Sequence, residues 1–125
     1  MHNIFLYLWK NQQYNMQDIT IDYALRATWQ AVTKMYNEEA RKFNSTMAVG
    51  FTLLSIDPKT GTPSTALGPK MGMEATSLSR ILKSMEEKGL IERRPNPNDG
   101  RGVLIHLTAF GLEKRKDSKD VVLRF

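Results

Sequence analysis

The sequence predicts a mainly α-helical fold with one small β hairpin near its C-terminal end. Apolar residues recur at spacings of three and four along two stretches, which is the helical period, and two short extended runs flank a segment rich in Pro, Asn and Gly. The chain has 125 residues, of which 41% are hydrophobic, and this is enough for one modest core. We therefore predict a single domain with appendages.

The first two helices are predicted from the spacing of apolar residues. Residues 21–43 place an apolar side chain at nearly every third or fourth position, which suits one long amphipathic helix, and Thr20 or Asp18 can cap it. Residues 44–46 break the pattern and offer a new cap. A second, more buried helix is expected over residues 47–56, before a turn that contains proline and glycine.

The next two helices differ in how clearly the sequence marks them. Residues 64–70 are expected to form a short third helix, although Gly68 and Pro69 disfavour regular helix there. Residues 73–88 form the clearest helix, because four apolar residues fall at i, i+3, i+4 and i+7 and Gly89 offers a C-terminal stop. These four residues are Leu78, Ile81, Leu82 and Met85.

The hairpin is predicted from two extended runs, residues 90–94 and 101–107, around the turn-rich residues 95–100. Regular alternation in the second run places His106 on the side away from Val103, Ile105 and Leu107, so His106 is expected to face solvent. Thr108 can cap a final helix. Helices followed by a hairpin are typical of a winged helix-turn-helix, in which the second helix of the helix-turn-helix enters the major groove of DNA.

The polar side of the helix over residues 73–88 carries side chains that can read DNA. At about 100° per residue, Thr76, Arg80 and Lys83 lie opposite the apolar stripe. Arginine can bond the O6 and N7 atoms of guanine together, and threonine or serine can bond a base edge or a phosphate. A charged helix face that is merely exposed to water is equally common, so this helix alone leaves both interpretations open.

The tip of the hairpin favours DNA binding. Arg94 and Arg101 flank a turn constrained by proline and glycine, and an arginine on a rigid wing can enter a minor groove or clamp a phosphate. Asp99 is expected to hold the Arg101 guanidinium or a backbone amide at the bend. The alternative is a solubilising loop with an incidental ion pair.

Composition argues against several function classes. The formal charge of +5 and the pI near 9.6 favour a polyanionic partner, with nucleic acid first and an acidic membrane surface second. The absence of cysteine removes disulfides, thiolate metal sites and cysteine nucleophiles. The only histidines are His2 and His106, and no glycine-rich phosphate loop occurs. We therefore predict no catalytic residues, no metal site, no cofactor and no enzyme activity.

The N-terminal apolar run, residues 4–9, is expected to be neither a signal peptide nor a membrane anchor. It is too short to span a bilayer and has no cationic flank before it. Met16 offers an alternative start, which would leave residues 1–15 as an upstream extension. The expected location is the cytoplasm, with no membrane partner.

Residues 82–93, together with residues 97–108 and Gly111, resemble the multiple-antibiotic-resistance regulator (MarR-like) family. The shared pattern joins a helix ending in Glu-Glu-Lys-Gly-Leu-Ile-Glu-Arg to a wing with Asp-x-Arg and a closing Leu-Thr-x-x-Gly. The resemblance implies a homodimeric prokaryotic transcription factor, usually a repressor, that a small aromatic molecule releases from double-stranded operator DNA. It also implies that Asp99 and Arg101 serve DNA binding, and that several helix residues face the major groove. These helix residues are Thr76, Ser77, Ser79 and Arg80.

The resemblance implies the organisation of the whole chain, a winged helix-turn-helix flanked by dimerisation helices. The expected parts are an N-terminal extension (1–19), a dimerisation helix (20–44), the winged helix-turn-helix DNA-binding domain (45–107) and the short start of a C-terminal dimerisation helix (108–125). The chain departs from the family pattern at Glu74, where a small hydroxyl cap is usual, and at Gly100, where a basic residue is frequent.

These inferences predict a sequence-specific regulator of transcription that contacts double-stranded DNA through two elements. The helix over residues 73–88 is expected in the major groove, and wing residues 90–107 on the minor groove or the phosphates. The expected DNA-binding residues are Thr76, Ser77, Ser79, Arg80, Lys83, Arg94, Asp99 and Arg101. The alternative is a winged-helix protein-interaction module that does not bind DNA and docks a partner through its apolar ends, residues 4–9 and 121–125.

Four aromatic residues, Trp29, Tyr36, Phe43 and Phe51, have two interpretations. They can line an effector pocket near the dimerisation helices, or they can belong to the core or to a dimer interface. The second is more common for aromatic residues at helical spacing, and we prefer it.

Overall fold

The computed structural model describes residues 20–125, with only the backbone described at Arg101. The predicted N-terminal extension, including residues 4–9 and Met16, lies outside the described residues. The helices are α1 (Ile21–Arg41), α2 (Met47–Ser55), α3 (Ser64–Met71), α4 (Ala75–Glu87) and α5 (Ala109–Leu123), and the strands are β1 (Thr62–Pro63), β2 (Ile91–Asn96) and β3 (Asp99–Leu107). This confirms a mainly α fold with a small β wing.

The described chain divides into two compact units. Residues 20–47 and 121–125 form the first, and residues 48–120 form the second, which contains the elements of the predicted winged helix-turn-helix. Within residues 20–125, every helix is too short or too polar to cross a membrane.

The second unit is built around one apolar core. Helices α2, α3 and α4 and the inner face of the sheet contribute to it, and Leu67, Met85 and Ile105 have no exposed surface. The other buried members are Val49, Leu53, Ile56, Leu78, Leu82, Leu90 and Ile91. Burial of one such side chain contributes about 1.5 to 3 kcal/mol to stability. The core residues of α4 therefore fix one side of that helix against the core.

The sheet has three antiparallel strands in the order β1, β3, β2. The predicted alternation of β3 is confirmed, because Ile105 is fully buried, Leu107 packs on the core, and His106 points to the other face, opposite Glu92. The expectation that His106 faces solvent is only partly right, since its side chain is half-buried. The reason is the backbone of Gly61, where an added Cβ would lie 2.7 Å from the imidazole Nε2.

Helix α3 forms despite its proline. It ends at Met71, so Pro69 removes a backbone donor only in the last turn. Gly72 then adopts a φ of 62° and donates its N–H to the carbonyls of Gly68 and Pro69, which closes the helix end. A Cβ at Gly68 would lie 3.0 Å from the carbonyl oxygen of Met73. The absence of a side chain at Gly68 therefore allows the tight turn between α3 and α4.

Helix α1 carries apolar residues on two sides. It begins after Thr20, whose hydroxyl accepts a hydrogen bond from the Tyr23 N–H at 3.3 Å, as predicted. The buried side consists of Ala27, Ala31, Met35 and Glu39. In contrast, Ile21, Leu25 and Trp29 are exposed by 82%, 66% and 55%. These three large residues, called the α1 strip below, belong to the predicted stripe but are not covered by the rest of residues 20–125.

The last residues of the chain pack on α1 within the first unit. The buried Glu39 carboxylate lies 3.7 Å from Arg124 Nη2, and the Tyr36 ring meets the Phe125 ring edge-on with centroids 5.9 Å apart. Tyr36 therefore takes part in ordinary packing, which agrees with the preferred interpretation of the aromatic residues.

The first turn of helix α2 receives a hydrogen bond that the sequence did not indicate. The Met47 N–H donates to Asn37 Oδ1 at 2.9 Å, and the cap expected from residues 44–46 stays a prediction. Asn37 precedes Met47 by ten positions, so this bond depends on how the chain turns back after α1, and no local pattern predicts it.

Candidate nucleic-acid interface

Helix α4 is fixed along one side and has well-defined ends. Leu78, Leu82 and Met85 are buried in the core, as predicted. The N-cap residue is Glu74, whose side chain makes no capping hydrogen bond, so the first turn lacks the usual hydroxyl cap. Beyond the other end, Gly89 adopts a φ of 73°, a left-handed conformation that favours glycine. The predicted stop at Gly89 is confirmed.

The opposite side of α4 is a continuous polar surface. Thr76, Arg80 and Lys83 are exposed at i, i+4 and i+7, so they form one stripe along the helix. Ser77 and Ser79 are also exposed and flank this stripe. The structure thus brings the five predicted helix residues together on one face, directed away from the core.

The wing turn is shorter than predicted. Strand β2 ends at Asn96 and β3 begins at Asp99, and these two residues pair with each other. The turn therefore contains only Pro97 and Asn98, whereas residues 95–100 were predicted. The Asn98 N–H donates to Asn96 Oδ1 at 3.0 Å, a local bond that stabilises tight turns. The strand register shifts between Pro95 and Asn96, which accommodates the glycine-rich start of β3.

The predicted Asp-x-Arg pair lies at the start of β3. Asp99 is exposed, and a Cβ at Gly102 would lie 3.3 Å from its Oδ2, so the carboxylate faces the backbone of its own strand. Arg101 lies two residues further along the strand, and its side chain lies outside what the structure describes. The expected contact between the two side chains therefore stays a prediction.

Two ion pairs occur beside the predicted DNA-binding residues. Arg93 Nε lies 3.3 Å from Glu86 Oε2, which connects β2 to the last turn of α4. Arg94 pairs with Glu92 along the same face of β2. Both pairs are partly exposed, and each brings an acidic residue of the site next to an arginine.

Sequence reasoning missed both pairs, for different reasons. Glu92 and Arg94 are two positions apart in a predicted strand, so alternation alone places them on one face, and this signal was available. Glu86 and Arg93 belong to a helix and a strand, and their contact depends on how tightly the chain turns at Gly89. No spacing rule gives that distance.

The comparisons with known proteins agree with this geometry. A model of the MarR family matches residues 46–103. The chain is 37% identical over 59 residues to the uncharacterised HTH-type transcriptional regulator YdgJ of Bacillus subtilis, an alignment that covers 47% of this chain and 36% of YdgJ. The crystal structure of reduced MarR from E. coli matches with a TM-score of 0.76 and 30% identity, and covers 83% of this chain and 76% of MarR.

The chain belongs to the MarR family. The family resemblance and the winged-helix fold predicted from the sequence are therefore confirmed. A second MarR-family structure, mutant MarR from E. coli complexed with operator DNA, matches with a TM-score of 0.76 at 27% identity, and covers 87% of this chain and 79% of that protein. The chain spans well under two thirds of some curated relatives, since the alignments cover 36% of YdgJ and 28% of the multiple antibiotic resistance protein MarR of E. coli.

Proposed function

We propose that this chain is a sequence-specific regulator of transcription that binds double-stranded DNA. Helix α4 enters the major groove, and the wing, residues 90–107, contacts the minor groove or the phosphates. The observation that carries the proposal is the exposed polar face of α4, which lies opposite three residues buried in the core. The similar fold of a MarR bound to operator DNA supports it.

The residues of α4 divide by the DNA groups they suit. Arg80 lies at the centre of the stripe and can bond the O6 and N7 atoms of guanine. Thr76, Ser77 and Ser79 can bond base edges or phosphates, and Lys83 suits a phosphate because its ammonium group is a flexible point charge.

The wing supplies the second set of contacts. We assign Arg101 to the minor groove or a phosphate, with Asp99 as its orienting partner. Arg94 is assigned to a phosphate, and it must exchange its Glu92 partner for that contact. The exchange costs little, because an exposed ion pair contributes about 0 to 1 kcal/mol.

The proposal includes a homodimer. The α1 strip exposes three large apolar residues in the single chain, and residues 20–44 and 108–125 are the proposed dimerisation elements. A two-fold dimer places two α4 helices on two half-sites, so the bound sequence is palindromic.

We further assign the protein to the cytoplasm and to repression that a small aromatic effector relieves, as the family resemblance implies. Catalysis is not part of the proposal, since the relatives that match are transcriptional regulators.

Selection of bound sequences from a pool of random duplexes tests the proposal. We expect one enriched palindromic site, whose affinity falls steeply as salt rises because phosphate contacts release counterions. Binding of the site is then measured by fluorescence anisotropy for Arg80→Ala and Arg101→Ala, with Arg41→Ala as a control at an exposed arginine of α1. Arg80→Ala is expected to cost about 1 to 3 kcal/mol and to relax the preference at one base position, and Arg101→Ala to weaken binding to most sequences.

Two results would contradict the proposal. One is the absence of any enriched sequence together with binding that does not depend on salt, which would favour the protein-interaction module. The other is an unchanged affinity of both arginine variants at low salt, where electrostatic contacts are strongest.

A further inference from the structure

Thr108 lies where the end of α4, the start of β2 and the start of α5 meet. Its hydroxyl donates to the carbonyl oxygen of Gly89 at 2.5 Å and accepts the N–H of Gly111 at 3.0 Å. Its backbone N–H donates to the carbonyl oxygen of Leu90 at 3.1 Å. One residue therefore joins the short loop between α4 and β2 to the first turn of α5. Gly89, Leu90, Thr108 and Gly111 are called the junction below.

Packing makes the junction tight. Leu90 and Gly111 are both buried, and a Cβ at Gly111 would overlap the carbonyl oxygen of Leu90. On the other side, the Leu90 N–H donates to the carbonyl oxygen of Met85 at 2.9 Å, so Leu90 is fixed to the last turn of α4. The backbone at Leu90 is thus held between the last turn of α4 and the first turn of α5 by hydrogen bonds and close packing.

The junction matters because base reading needs a more precise placement of side chains than phosphate binding does. Side chains that bond base edges must be placed within about 0.5 Å, and they need a rigid support. Flexible lysine and arginine side chains reach phosphates over a wider range, and these contacts carry no sequence information. A small change in the direction of α4 relative to α5 and the wing therefore reduces specific binding more than non-specific binding.

We propose that Thr108 is a positioning residue for base reading by α4, because its hydroxyl joins Gly89, directly after the end of α4, to the first turn of α5. The inference rests on the proposed function of α4. It adds that the closing Thr-x-x-Gly segment supports sequence discrimination through its hold on the end of α4.

The test compares the specific and non-specific affinities of Thr108 variants. Fluorescence anisotropy gives the affinity for the selected palindrome and for a scrambled duplex of the same composition, at several salt concentrations. Thr108→Val keeps the shape and removes the hydroxyl with both of its hydrogen bonds. The specific affinity is expected to fall at least about fivefold, the equivalent of one of these two bonds. Non-specific affinity and its salt dependence are expected to change by less than about twofold, since the phosphate contacts are retained. Thr108→Ser keeps the hydroxyl and is expected to retain the specific affinity of the wild type.

Thr52→Val is the matched control. Thr52 is fully buried in α2, and its hydroxyl donates to the Ala48 carbonyl at 2.7 Å, so the same substitution removes a hydroxyl-to-carbonyl hydrogen bond away from the junction. It is expected to lower stability and leave the ratio of specific to non-specific affinity unchanged. Thr108→Cys, which keeps a weak donor, is expected to give an intermediate ratio and serves if the valine variant does not fold.

The outcomes separate this inference from the proposed function. If the wild-type protein binds the selected and scrambled duplexes equally, the proposed function is contradicted. A wild-type protein that discriminates, with a ratio unchanged in Thr108→Val or in Thr108→Cys, would overturn the role of Thr108 alone. The role of Thr108 would also be overturned if Thr52→Val lowered the ratio of specific to non-specific affinity as much as Thr108→Val does.

Discussion

At the scale of single residues, Glu92 is expected to compete with DNA for Arg94, the proposed phosphate contact. The two side chains pair on β2, and both are partly exposed. We expect Glu92→Gln to release the guanidinium and to raise the affinity for all duplexes about twofold to fivefold at low salt, because an exposed pair is worth less than 1 kcal/mol. The gain should shrink as salt screens both interactions. Anisotropy measurements would show this, with Glu113→Gln on α5 as a control for the loss of one negative charge. Identical gains in the two variants would contradict a specific role for Glu92.

Asp57 stabilises the turn after α2 in its charged form. Hydrogen bonds from the backbone N–H groups of Thr60, at 3.0 Å, and Lys59, at 2.8 Å, hold the pKa of this carboxyl below its usual value. A lowered pKa means that the contribution is complete above the unfolded pKa of about 3.9 and disappears as the pH falls through the lower folded pKa. The fall in the free energy of unfolding at acid pH should therefore depend in part on Asp57.

We expect Asp57→Ala to lower the urea midpoint at neutral pH and the difference from wild type to narrow below about pH 4. The measurement is a set of urea unfolding curves at several pH values, with Asp120→Ala, at an exposed position of α5, as the control. A difference that stays constant from neutral pH to strongly acidic pH would show that Asp57 acts through its shape and not its charge.

At the scale of elements, α4 begins without a capping hydrogen bond from its N-cap side chain. Glu74 occupies the position without a capping bond. Glu74→Ser is expected to raise the free energy of unfolding by about 0.5 to 1 kcal/mol, since a serine cap is worth about 1 kcal/mol and loss of a carboxylate near a helix N-terminus costs a few tenths. Chemical denaturation would measure the change. Glu74→Ala removes the same charge without adding a capping oxygen, so a gain of equal size in that variant would refute the capping argument.

The elements that the sequence predicted well are those whose own pattern determines them. Helix α4 combines a clean apolar stripe with Gly89 as its stop, and the wing combines alternation with a turn-rich tip. Helix α3 was harder to predict because Gly68 and Pro69 contradict local propensity, and their use in the following turn depends on the Met73 backbone. The length of the wing turn also depended on pairing between Asn96 and Asp99, which spacing does not reveal.

The candidate site follows the same division. Helical periodicity was enough to place Thr76, Arg80 and Lys83 on one exposed face. It was not enough to reveal the contact between Glu86 and Arg93, because that contact joins elements whose distance is set by packing. Sequence reasoning therefore identified which residues face outward, and the structure added how the wing and α4 are connected.

At the scale of the whole molecule, α1 carries apolar surface that residues 20–125 of one chain leave exposed. Its buried side uses small residues such as Ala27 and Ala31, which allow close packing, and the larger residues of the α1 strip are left exposed. Three large apolar residues next to one another on one side of a helix are unusual at a surface in contact with water. A second copy of the chain is the occupant that the proposed two-fold binding to DNA requires.

Leu25→Glu tests this arrangement, because a carboxylate within an apolar interface is costly to bury. We expect the variant to remain folded and to become monomeric in sedimentation experiments at micromolar concentration. Gln30→Glu is the control, since Gln30 is exposed on the opposite side of α1 and also gains one negative charge. A monomer keeps one α4 and one wing, so its affinity for a single half-site should be retained while the advantage of the palindrome over the half-site is lost. If Leu25→Glu stays dimeric and still prefers the palindrome, the α1 strip is not the dimer interface, and the two-fold symmetry of binding must come from another surface.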